Sequence, residues 1–208
     1  MGKDKLTLTV LGKSVIQHSI ELFLRHPAFQ GVLVVHTGGG LPLTHPALHA
    51  CQGGDSRSQS VLNGLQHLAT IVSGNPQVWV HDAARPCLGR AALDELVHAC
   101  DKADTPAIVA SRASDSIKRA DSAANEQPLI AEDCNRDYYW QAQTPQIARL
   151  DQLLAAYEHC LQQSLEVTDE AGALGAIGLK VRLLACPVPN PKLTFPKDLR
   201  LIELLLAS

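Results

Sequence analysis

Four short apolar runs, GVLVVH (31–36), QVWVH (77–81), AIVAS (107–111) and VRLLACPV (181–188), alternate with longer stretches whose apolar residues recur at helical spacing. This alternation constrains the fold more than any other feature. Strands separated by helices return to the sheet by crossovers and so lie mostly parallel. GVLVVH has no polar residue before its histidine, the form of a parallel strand covered on both faces. Among the helical stretches, SVIQHSIELFLRHPAF spaces Ile16, Ile20 and Phe23 along one face, with Ser14 as N-cap and Pro27 closing it. SQSVLNGLQHLA, RAALDELVHAC and RLDQLLAAYEHCLQQ continue the pattern, and PKDLRLIELLLA ends it, with Thr194 or Phe195 near the cap and Pro196 in the first turn. TDEAGALGAIG reads as a helix capped by Thr168 and ended at Gly178. A chain of 208 residues suits one such domain with a full core. The expected fold class is therefore α/β and Rossmann-like, a mostly parallel central sheet with helices on both faces, built as a single domain over 1–208.

Composition removes several function classes. The net charge of −3 comes with scattered lysines and arginines, so no basic stripe points to nucleic acid. Six cysteines stand singly, without CxxC or zinc-type histidine pairing, and read as reduced thiols of a cytoplasmic protein. No basic-then-apolar leader is visible, nor any apolar run near the ~20 residues that cross a bilayer, so no membrane partner is expected. There is no GxGxxG, which argues against a dinucleotide-dependent dehydrogenase. HTGGG (36–40) follows a strand but lacks the Gly-Lys-Ser/Thr of a phosphate loop, and reads as a flexible connection.

Chemistry concentrates in a few stretches. VHDAARP (80–86) places Asp82 and Arg85 just past a strand, at the carboxyl end where ligands of such sheets sit. The pair is either a surface ion pair of little consequence or a carboxylate for a divalent cation beside an arginine for phosphate. Ala83 and Ala84 between them leave room for a close backbone approach. GGDSRSQSVLNGL (53–65) sets two glycines before a helix, a place where free N–H groups receive an anion or a base edge. RDYYWQAQTPQ (136–146) gathers three of the chain's eight aromatic residues, as a packing anchor would. NPKLTFPKD (190–198) offers Lys192 near a helix start, where it is either solvated or meets a phosphate. Residues 111–135 are polar and poor in large apolar groups, and composition alone leaves a loop or an arm open.

Taken in order, GGDSRSQSVLNGL, VHDAARP, DSIKR, NRDYYWQAQTPQ, TDEA and NPKLTFPKD resemble the motifs of the 2-C-methyl-D-erythritol 4-phosphate cytidylyltransferase family of the non-mevalonate isoprenoid pathway. The resemblance implies transfer of CMP from CTP to a sugar-alcohol phosphate, with pyrophosphate released and Mg²⁺ bridging. It implies that Gly54, Asp55, Ser60 and Ala83 bind the nucleotide, and that Asp82 holds the metal and the substrate diol. Arg136 and Lys192 would position the attacking phosphate, with Arg85, Ser116 and Thr144 lining the same pocket. By the same resemblance, 111–135 becomes a dimerisation β-arm, so that Arg85, Ser116 and Arg136 serve the partner's site in a homodimer.

The family opens with a strand and a glycine-rich loop carrying an arginine, then a lysine. Here that strand and loop are absent, and Lys5 stands where the catalytic lysine belongs. The expectations are an ordinary enzyme read from an internal start, or a non-catalytic dimeric homologue that binds a nucleotide or a partner. A third keeps the reaction and takes ribitol 5-phosphate as acceptor. The gap left in the sheet would be partly filled by a rearranged strand from KLTLTVL.

Overall fold

The computed structural model describes residues 3–38, 40–100, 104–123 and 126–207. A 3-10 turn, Lys3–Leu6, leads into a hairpin of β1 (Thr9–Val10) and β2 (Lys13–Ser14). Leu11 and Gly12 make its two-residue turn, both at positive φ as the tight hairpin turns require. KLTLTVL therefore forms this turn and hairpin and pairs with no strand of the sheets, which corrects the expectation that it fills a gap there. Ser14 caps α1 (Val15–Leu24) by accepting the Gln17 N–H, and the buried face is Val15, Ser19, Ile20 and Phe23.

β3 (Val32–His36) pairs in parallel with β4 (Leu48–Gln52), and α2 (Arg57–Ile71) follows with Ser56 as its N-cap. Then come β5 (Gln77–Val80), α3 (Arg90–Cys100) and β6 (Ala107–Arg112). β7 (Ile117–Ala120) and β8 (Ile130–Cys134) pair antiparallel in the polar stretch, tied by the cross-strand ion pairs Lys118–Asp133 and Arg119–Glu132. β9 (Trp140–Arg149), α4 (Leu150–Gln162), α5 (Glu170–Ala176), β10 (Arg182–Ala185) and α6 (Asp198–Ala207) complete the order.

The main sheet runs β10-β6-β9-β5. β10 lies parallel to β6, while β9 is antiparallel to both β6 and β5, so three strands share one direction. The α/β class holds, with a mixed sheet. β3 and β4 form a separate two-stranded sheet, joined by no ladder to the other among the described residues. Every residue of β3 is in consequence only half-buried, a correction to the reading of a strand covered on both faces.

Two helices bridge the break. On one side Phe23 and Phe29 meet edge to face at 5.1 Å, and Phe29 meets Trp79 of β5 likewise at 5.1 Å. On the other, Leu62 and Leu65 of α2 share a core with Val78, Val80 and the α4 residues Leu153 and Tyr157. Burying a leucine as fully as Leu153 contributes about 2 kcal/mol. α2 can lie close to β3 because Gly64 has no side chain: a Cβ there would stand 2.6 Å from Val35 Cγ2. Gly64→Ala is expected to lower stability by about 1–2 kcal/mol despite better helix propensity, since a β-branched neighbour cannot turn aside. Urea unfolding checks it, and most of the penalty should vanish in a Val35→Ala background.

Smaller departures have local causes. Asp169, and not Thr168, caps α5 by accepting the Gly172 N–H. Pro196 precedes α6 in a turn, where Asp198 accepts the Thr194 and Phe195 N–H groups. Tyr138 and Tyr139 are exposed rather than packed as an anchor within this chain.

Candidate active site

The site is built on the turn that ends β5. The Arg85 N–H donates to the Asp82 carbonyl at 2.9 Å. Ser19 of α1 donates its hydroxyl to the Ala83 carbonyl, and the Leu193 N–H donates to the Ala84 carbonyl. Ala84 and Cys87 sink into a core with Val10, Val15, Leu193 and Ile202. Small residues at 83 and 84 thus let the turn lie against two helices, while the charged pair stays largely buried beside it.

His81 secures the turn from behind. Its Nε2 lies 3.0 Å from the Arg85 carbonyl, which can only accept, so Nε2 carries the proton. Nδ1 must then accept, and it does so from the Thr144 hydroxyl at 3.0 Å, whose oxygen in turn accepts the Asp82 N–H at 3.0 Å. Thr144 is buried and acts on Asp82 through its backbone. Burial holds the imidazole neutral, down to about 4 from 6.5, against the opposing pull of the Arg85 carbonyl and the Asp82 charge. As pH falls from 6.5 toward about 4, the unfolded chain takes up a proton that the folded one refuses, so stability falls through that window. At about 1.4 kcal/mol per pH unit, the loss across this window is about 3 kcal/mol. Urea midpoints across this range should be flatter for His81→Gln than for the native chain.

Asp82 meets two cations. Lys192 Nζ stands 2.8 Å and Arg85 Nε 3.5 Å from its Oδ2. Burial pushes this carboxyl up, but Lys192, Arg85 and the more distant charge of Arg57 outweigh it and leave it below its ordinary value. Arg85 Nη1 also donates to the Asn190 carbonyl at 2.7 Å. Asn190 donates its amide to the Thr144 carbonyl at 3.0 Å and to Gln143 Oε1 at 3.3 Å, holding the segment that carries Lys192 against β9. Arg85 Nε and Asn190 Oδ1 are buried with no hydrogen-bond partner among the described residues, the unsatisfied kind of polar atom that marks functional sites. A cleft of about 370 Å³ opens here, lined by Arg85, Gln141, Gln143, Asn190 and Lys192.

The other half is the start of α2. The Gly54 N–H donates to Ser60 Oγ at 3.0 Å, and that hydroxyl donates to the Ser56 carbonyl at 2.8 Å, closing the loop on itself. A Cβ at Gly54 would sit 2.2 Å from Gln59 Cγ, so only glycine permits this closure. Asp55 is exposed at the tip.

The remaining candidates lie apart from the cleft lining. Lys5 is in the opening 3-10 turn. Ser116 is exposed at the root of the β7–β8 hairpin, and Arg136 donates to the nearby Ser114 carbonyl at 2.5 Å. Sequence reasoning missed His81, Asn190, Gln146 and the set formed by the enclosed Glu170 and Tyr157 with Arg57. Glu170 reads in sequence as an ordinary first-turn acid; nothing local marks it as fully enclosed.

Comparison with known proteins finds a family over the whole chain. The family model of 2-C-methyl-D-erythritol 4-phosphate cytidylyltransferase (IspD) matches residues 1–208. A protein of that name from Haemophilus influenzae (strain PittEE) is 38% identical over 208 residues, covering 98% of this chain and 88% of its own. One from Tolumonas auensis is 38% identical over 211 residues, covering 99% and 89%. The crystal structure of the Francisella tularensis cytidylyltransferase superposes with a TM-score of 0.83 at 30% identity, over 97% of this chain and 92% of that one. With the family model matching residues 1–208 and relatives 38% identical over nearly the whole chain, this protein belongs to the 2-C-methyl-D-erythritol 4-phosphate cytidylyltransferase family.

Proposed function

We propose that the chain transfers CMP from CTP to 2-C-methyl-D-erythritol 4-phosphate. A phosphate oxygen of the acceptor attacks the α-phosphorus, the bond from that phosphorus to the bridging oxygen breaks, and pyrophosphate leaves. The observation that carries the reading is the Asp82 carboxylate gripped by Lys192 and Arg85 at the mouth of a cleft, within reach of Arg57's charge at the start of α2. Such transfers are catalysed chiefly by positioning and by cations aimed at spreading negative charge. Gly54, Asp55, Ser60 and Ala83 receive the nucleotide. Asp82 receives the acceptor diol, Lys192 and Arg136 its phosphate, and Arg85, Ser116 and Thr144 complete that pocket. Lys5 supplies a further cation to the triphosphate.

The donor set fits a divalent cation carried in by substrate. The described residues hold no cluster of three metal-ligating side chains, but one carboxylate with phosphate oxygens and water is an ordinary Mg²⁺ environment, and Asp82 would be its protein ligand. When bound, the ion neutralises triphosphate charge. The exposed Leu129, Ile130, Tyr138 and Tyr139 support a dimer in which the β7–β8 arm covers a second subunit and brings Ser116 and Arg136 to its site. A location in the cytoplasm accords with six free cysteines and with the lack, among the described residues, of a helix long and apolar enough to cross a membrane.

The test is pyrophosphate release from CTP with either acceptor, with Mg²⁺ or excess chelator, alongside light scattering. Release with 2-C-methyl-D-erythritol 4-phosphate, abolished by chelator, is expected, at a mass twice 22.3 kDa. Release with ribitol 5-phosphate alone would change the acceptor. CTP binding without release would make the chain a non-catalytic homologue, and a monomer mass would remove the shared site.

A further inference from the structure

Glu170 is completely enclosed, yet the reaction as proposed has no use for it. Its Oε1 accepts from Arg57 Nη2 at 2.9 Å and from the Tyr157 hydroxyl at 2.9 Å, and its Oε2 accepts from the same Arg57 nitrogen at 3.1 Å. Arg57 Nη1 donates to the Tyr157 oxygen at 3.4 Å. Arg57 is the first residue of α2, immediately after the Ser56 cap and within the loop that Gly54 and Ser60 close. Ser58 ties the same helix start to the segment before α5, donating to the Val167 carbonyl at 3.4 Å.

The same end of α5, from its Asp169 cap to Ala171, is also tied to β9. Gln146 is buried on β9, two residues beyond the threonine that holds Asp82. Its Oε1 accepts the Ala171 N–H at 2.8 Å, and its Nε2 donates to Asp169 Oδ2 at 3.1 Å. The contacts form one path: Asp82, Thr144, Gln146, α5, Glu170, Arg57, and the Gly54–Ser60 loop. Only the Glu170 partner of this ion pair is enclosed, the Arg57 side chain being 40% exposed, and enclosing an ionic group is a poor source of net stability, whereas it does fix orientation.

We propose that the first turn of α5 is a strut between β9 and α2, whose buried Glu170 fixes Arg57, and with it the nucleotide loop, at a set distance from the Asp82 turn, making Glu170 and Arg57 positioning residues for CTP. This rests on the reading of the Gly54–Ser60 loop as the nucleotide site.

The experiment uses the full chain with Glu170→Gln, which keeps the shape and removes the charge, and with Tyr157→Phe, a milder cut of the same network should the first fold poorly. Calorimetric CTP affinity, KM for the acceptor, Tm and amide exchange at Gly54 without ligand are measured together. Loosening one member of a contact network costs about tenfold in what the network positions. CTP binding should weaken by about that factor and Gly54 should exchange faster, while the acceptor KM stays within about twofold. Unchanged CTP affinity, or losses in CTP affinity, acceptor KM and kcat that simply track a lowered Tm, would overturn the strut. If the unaltered chain binds no CTP, the nucleotide reading itself falls and takes the strut's role with it. That outcome is distinct from the others, because it is read on the native chain alone.

Discussion

With Lys192 replaced by methionine, kcat is expected to fall by about two to three orders of magnitude while the fold persists. The size is that of removing one preorganised charge from a phosphoryl-type transition state. Folding should survive because the lysine side chain is 43% exposed and methionine keeps the length of its stem. The same substitution should change the pH dependence. Lys192 heads the groups that hold the Asp82 carboxyl below its ordinary range against the upward push of burial. Without it, the carboxyl becomes easier to protonate, so the acid limb of kcat/KM should move to higher pH. A profile that keeps its acid limb in place while losing amplitude would mean that Asp82 is not the group titrating there.

Asp82→Asn should be at least as damaging, about three orders of magnitude in kcat/KM, for the opposite reason. It leaves Lys192 and Arg85 facing each other around a neutral amide, and removes the anion that orders both. A carboxyl held below its ordinary value also supports the fold above the unfolded value of 3.8, and that support is lost as pH falls through the lower folded value. Asp82→Asn should therefore lose stability at neutral pH and show a shallower loss in strong acid. Groups that act as one unit are far from additive, so the double variant with Lys192→Met should be little worse than Asp82→Asn alone. Fully additive losses would show that the pair works as two separate contacts.

Much of the fold could be read from residue patterns because its elements obey their own periods. α1 with its Ser14 cap, the apolar runs at β3, β5, β6 and β10, and the helices α2, α3, α4 and α6 fall where periodicity puts them. β4, LHACQ, was not legible: with three exposed positions, His49 and Gln52 among them, it becomes a strand only by pairing with β3. β7 and β8 were illegible for a related reason. Their sequence is polar on both faces, and ordering comes from charges that meet only once the hairpin forms. At the site, Asp82 and Arg85 were visible from their place at a strand end. The meeting of Asp82 with Lys192 is a tertiary event that no local pattern encodes, and only the resemblance brought those two together in advance. His81 and Glu170 escaped because burial, which gives each its role, is a property of the packed molecule.

The break between the β3–β4 pair and the larger sheet has a thermodynamic consequence. Among the described residues no ladder crosses it, so the two pieces are coupled through side chains of α1 and α2, by packing and by a few polar contacts such as Arg57 with Glu170, and such boundaries separate cooperative opening units. The Gly54 loop hangs from the smaller unit and the Asp82 turn from the larger. A molecule bound to both would act as a clasp across the seam, and saturation with it should merge two partial openings into one concerted unfolding.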